Sequence, residues 1–342
     1  MKPRAVENPS LIERFISSVP LPYPLAAIFW AAILGSPGYY TVQLLETGTI
    51  NFTLDQLPAE VLFFVVPLYL FLMPRYMRMR VVAAEASIVP RLSGGEDDYH
   101  NSFGRMTLTA PVVPLTLVIG TITLSFRAFS DAIPKFSALA IYNTVTIYMV
   151  SFALSTSLWM FAMASLGLHR LGGSSLKLGP FLEERMMGAK PMGSLALSLT
   201  VVYFGGLLIV ILLFSSFIGT DTSLQALIFA FLFLGVAMFF LPLNSIHARM
   251  QAEKRRLQRD VGARYLQLSY TSSSPAENAT LEDVRNALTR LSDLQQLEMI
   301  DKKVAALPTW PFDIQLVSKF ITIVLSVTAV LLSRVITGFL HI

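Results

Sequence analysis

The side chains best placed to do chemistry lie in the last stretch of the chain. Lys319, Thr322, Ser326, Ala329, Ser333 and Thr337 recur at steps of three or four. On a helix they fall within an arc of roughly 80°. Hydroxyls and small side chains behind one ammonium group are not a bond-breaking constellation. They are groups that meet water, ions or a closely packed helix. The run that carries them, residues 314–342, is long enough to cross a bilayer, which takes roughly 20 apolar residues. Leu316, Phe320, Ile323, Val324, Val327 and Leu331 cover its other directions. Two readings stay open: a seam against another helix, or the wall of a wet path. In the second, Lys319 at the inner mouth repels cations and favours anions. Arg334 lies about 15 residues further on, roughly 22 Å along the axis, where it snorkels to the opposite interface.

A second group precedes this run. Asn244 and His247 share one helical face at the end of the sixth apolar run. They are within reach of the proline- and aromatic-rich stretch 307–313, which holds Trp310 and Asp313. A structural role at the inner mouth is expected for all four.

Other chemistry is missing from the sequence. There is no P-loop, dinucleotide fingerprint, HExxH or G-x-S-x-G. Cysteine is absent, and the four histidines (His100, His169, His247 and His341) are scattered. Glu96, Asp97, Asp98 and His100 are sequence neighbours without a metal-loop spacing, so a solvated acidic turn is expected. No carboxylate falls inside an apolar run, which disfavours proton-coupled carriers and intramembrane aspartyl proteases. No catalytic residue, metal or cofactor is expected.

The composition explains what must hold these groups. Of 342 residues, 54% are hydrophobic and only 14% charged, against about 25% charged in soluble domains. Mean hydropathy is +0.60. An all-α, polytopic membrane bundle of about seven spans follows. The net charge of +4 sits in a few loops and marks topology rather than nucleic-acid binding.

In order, the spans read as residues 23–45, 61–73, 108–126, 139–166, 195–217, 224–243 and 314–342. The first is interrupted at Gly35-Ser36-Pro37-Gly38. Either it is a broken span or it ends early, with 39–45 at the interface. The second ends at Pro74, before Arg75, Arg78 and Arg80. Residues 81–106 read as a loop, and 181–187 as a short helix on the membrane. The Lys and Arg bias places the N-terminus in the cytoplasm and the C-terminus outside a plasma membrane.

Residues 1–244 form the bundle of spans 1–6, 245–306 a cytoplasmic hairpin of two amphipathic helices, and 307–342 the last span. The hairpin opens with Arg249, Lys254, Arg255, Arg256, Arg259 and Arg264, which could touch anionic lipid heads. Its second helix carries Leu281, Val284, Leu288, Leu291, Leu294, Leu297, Ile300 and Val304 at helical steps.

This order of elements resembles the insect olfactory and gustatory receptor-type ion channels. The likeness lies in topology: seven spans, an internal N-terminus, an internal helical segment before the last span, and a very short external tail. It implies a tetramer held by the internal helices, here 245–306, with the last span, here 315–342, lining the pore. The tyrosine-bearing signature of the insect last span is not matched.

The expected function is therefore a homo-oligomeric channel or pore whose last helix faces the path. Two alternatives are a sensor or scaffold that recruits a partner through the hairpin, and a neutral-solute transporter. The last is motivated by glycines at Gly35–Gly38 and Gly205-Gly206, since interrupted helices border binding sites.

Overall fold

The computed structural model describes residues 8–128, 137–173, 186–213, 222–270 and 281–340, and every regular element among them is helical. A short helix, α1 (Leu11–Ile16), precedes a pair, α2 (Tyr23–Leu34) and α3 (Ser36–Thr47). Then come α4 (Leu57–Ile88), α5 (Gly95–Phe103), α6 (Val112–Ala128), α7 (Ala138–Gly173) and α8 (Lys190–Leu213). The chain continues through α9 (Thr222–Tyr270), α10 (Leu281–Ala305) and α11 (Ile314–Leu340).

Among the described residues, α4, α7, α8, α9 and α11 are the five helices long and apolar enough to cross a membrane. The α2–α3 pair, bent by 40°, makes six if it counts as one span. A count of seven needs α6 as well, whose apolar part, Val112–Ser125, is shorter than a full crossing.

Helices α4, α7, α8 and α9 surround one apolar core that includes Met77, Phe103, Met160, Leu168, Phe204, Phe239 and Ile246. Helix α6 packs on α7, and α11 chiefly on α8. A second cluster joins Ile12 and Ile16 of α1 to α2, Phe71 and Ala153. The short α5 buries Tyr99 and Phe103 completely, and the Tyr99 hydroxyl donates to the Val81 carbonyl at 2.5 Å.

The break in the first apolar run sits at Gly35. A break at membrane depth frees carbonyls that lipid cannot satisfy. The hydroxyl of Tyr142 on α7 lies 2.9 Å from both the Ile33 and Gly35 carbonyl oxygens. Ser36 donates across to the Glu60 carbonyl at 2.6 Å. A Cβ at Gly35 would press on the Phe63 and Phe64 backbone, so the bend also needs a residue without a side chain. Tyr142→Phe keeps the ring and leaves the Ile33 carbonyl without this donor, while the Gly35 carbonyl keeps its bond from the Tyr39 N–H at 3.1 Å. A loss of about 1–3 kcal/mol is expected, the cost of an unsatisfied buried acceptor. The thermal midpoint of the variant in neutral detergent is the check. An unchanged midpoint would mean that water serves the break instead.

One boundary differs from the sequence reading. The second apolar run does not end at Pro74: α4 continues to Ile88 with Pro67 and Pro74 inside it. Helix α9 runs unbroken through Pro242 to Tyr270, so the first hairpin helix continues the sixth run without a break at residue 244. An interior proline costs about 3 kcal/mol locally. Here Pro74 and Pro242 are themselves buried, beside Met73, Met77 and Val81 in one case and Leu243, Ile246 and Met250 in the other. Packing on both sides of each proline outweighs the lost backbone bond.

The loop expected over 81–106 is also largely helical. Glu96, Asp97 and Asp98 occupy the first turn of α5, where the helix dipole favours negative charge. Asp98 accepts from the Gly94 N–H at 3.1 Å. Among the described residues no group of three or more His, Cys, Asp or Glu converges on a metal position. The surface helix expected at 181–187 falls mostly outside the described residues, and the connection between the two hairpin helices, 271–280, lies wholly outside them. Met187 is described, and it is buried against Val304 and Leu307.

Candidate functional site: the last helix and its elbow

Helix α11 starts at Asp313, whose Oδ1 accepts from the Leu316 N–H at 2.8 Å. That bond satisfies one of the donors every helix leaves free at its start. No proline follows within the helix, so it continues to Leu340. Its inward face is apolar: Leu316, Phe320, Val327 and Leu331 are buried against the bundle. The six stripe residues, Lys319, Thr322, Ser326, Ala329, Ser333 and Thr337, are all exposed on the opposite side. Ile321, Leu325, Leu332 and Ile336 flank them, exposed as well. Asn143, Ser155 and Thr200 are buried in other helices, so this chain can bury span hydroxyls and amides but leaves those of α11 on the surface.

The hydroxyls are not idle. Thr322 donates to the Ser318 carbonyl at 2.9 Å, Ser326 to Thr322 at 2.8 Å and Thr337 to Ser333 at 2.8 Å. Each is satisfied by the preceding turn, which lowers its cost at a low-dielectric surface. Each oxygen still has a lone pair to offer a neighbour.

The angle of α11 is set by an elbow built from 306–313 and the inner part of α9. Trp310 stacks on His247, with ring centroids 4.1 Å apart and planes at 15°. His247 Nδ1 lies 2.7 Å from the Thr309 carbonyl oxygen. Phe312 stacks on Trp310 at 5.3 Å and on Phe239 at 5.7 Å, and Phe239 stacks on Phe320 at 4.3 Å. Such ring pairs add about 0.5–1.5 kcal/mol each beyond area burial. Lys190, at the start of α8, pairs with Asp313 at 2.8 Å. That hydrogen bond holds the Asp313 carboxyl below its usual range, so Asp313 is a carboxylate at neutral pH. The structure thus brings His247, Trp310 and Asp313 to one elbow and leaves Asn244 exposed.

The basic run has a partly structural use. Lys254 Nζ donates to the carbonyls of Ala305 and Leu307, at 2.7 and 2.8 Å, and so closes the C-terminal end of α10. Arg249 does the same for α7 through the Gly173 carbonyl at 2.9 Å. Arg255, Arg256, Arg259 and Arg264 are exposed.

Helix α10 divides its apolar stripe in two. Leu297, Ile300 and Val304 turn toward α9, where Leu257 packs. Leu281, Val284, Leu288 and Leu291 are exposed, and so are Tyr265 and Leu266 at the far end of α9. Among the described residues, the distal half of the α9–α10 pair therefore carries an uncovered apolar surface.

Gly205 and Gly206 do not interrupt α8, which is continuous across them. They leave room for the ring of Tyr69, whose hydroxyl donates to the Val202 carbonyl.

The elbow was only partly foreshadowed in the sequence. Lys190 and Phe239 carried no local signal, and Lys254 and Phe320 stood out only as members of the basic run and the apolar surface, because their partners here are distant in the chain. No protein-family model, no curated protein and no solved structure matches this chain.

Proposed function

We propose that the chain is a seven-span, homo-oligomeric channel of the plasma membrane, with its N-terminus cytoplasmic and α11 facing a central path. The single observation that carries the reading is the direction of α11. It buries its apolar face in its own bundle and turns its polar stripe outward. A helix surrounded by lipid alone is selected the other way round. A second copy of the chain, with water between the copies, is the environment that suits this face. The uncovered apolar surface at the distal end of α9 and α10 supports the same reading, since copies that meet there would cover it. The topological resemblance to insect receptor channels points to the same arrangement.

The test is conductance of the purified chain in planar bilayers. Wild type is expected to pass current with a preference for anions. Lys319→Ala is expected to weaken that preference, and Ser326→Leu to cut the current severalfold by narrowing and drying the path. Unaltered current and ion preference in both variants would remove α11 from the path.

The same distal surface also favours a second reading, a scaffold that recruits another protein. The mass of the purified particle separates the two. An oligomer with Val284, Leu288 and Leu291 at its contact supports the channel, and a monomer supports the scaffold.

A further inference from the structure

We draw no further inference here: the strongest candidate, the apolar patch of Tyr265, Leu266, Leu281 and Leu288 at the distal end of the α9–α10 hairpin, already serves the two readings above, and nothing in the structure shows what else covers it.

Discussion

Replacing Arg78 by methionine is expected to destabilise the chain by about 3–5 kcal/mol near neutral pH, because it strands a buried carboxylate. Glu13 is 2% exposed, on the one-turn-and-a-half helix α1 that no membrane span requires. It does two jobs there. Its carboxylate accepts from the Ser10 N–H at 3.3 Å, completing a capping box in which Ser10 accepts from the Glu13 N–H at 3.4 Å. It also accepts from Arg78 Nε at 2.9 Å, which ties α1 to α4 and seats Ile12 and Ile16 in their cluster.

The pH dependence distinguishes this mechanism from lost packing. Burial pushes the Glu13 carboxyl above its ordinary value of 4.5, and Arg78 pulls it back. An acid raised by folding binds more protons folded than unfolded. Its contribution to stability is therefore greatest below about 4.5 and declines as pH rises through the raised value. Without Arg78 only the Ser10 N–H and the more distant Arg75 charge oppose the upward push, and the decline deepens. The thermal midpoint of Arg78→Met should thus lie closer to wild type near pH 5 than near pH 7.5. Glu13→Gln in the same background should flatten the difference, since no charge is left to strand. An equal deficit at both pH values would assign the loss to packing alone.

How much of this was readable beforehand follows from where each signal resides. The all-helical class, the apolar runs and the stripe on the last helix are properties of composition and local period, so they were legible. The stripe's outward direction was not, because period gives faces and not neighbours. That α4 continues through Pro74, and that the sixth run and the first hairpin helix form the single helix α9, was not legible. Proline's penalty is local, while Met77 and Ile246, which offset it, are buried by other helices. Arg80 read only as one of the bases that close the second run, and nothing local singled out Arg91 or Lys190. Their convergence on one cavity, like Tyr142 meeting the Gly35 break, depends on contacts between segments far apart in sequence.

Gly193→Ala should cost about 1–3 kcal/mol, the usual range for overpacking, although it adds a single methyl group. Gly193 is buried in the first turn of α8, and a Cβ there would overlap the Pro311 carbonyl oxygen. Backbone cannot rotate aside as a long side chain can, so the elbow itself must move. Pro311 lies between Trp310 and Phe312, whose stacks on His247 and Phe239 fix the elbow to α9. Lys190, three residues before Gly193, holds Asp313 from the same turn of α8. One methyl group therefore disturbs both attachments of α11 at once.

Gly262→Ala is the internal control. Gly262 lies within α9 with nothing near its missing Cβ, so the same change there should gain about 0.5–1 kcal/mol through helix propensity. Thermal midpoints should move in opposite directions for the two variants. Hydrogen exchange over 306–316 should rise in Gly193→Ala alone. A Gly193→Ala chain that kept both its midpoint and its exchange would show that Pro311 does not rest on α8. Loss of conductance in a Gly193→Ala chain whose other helices stay protected would show instead that the elbow, and with it the direction of the stripe, controls the path.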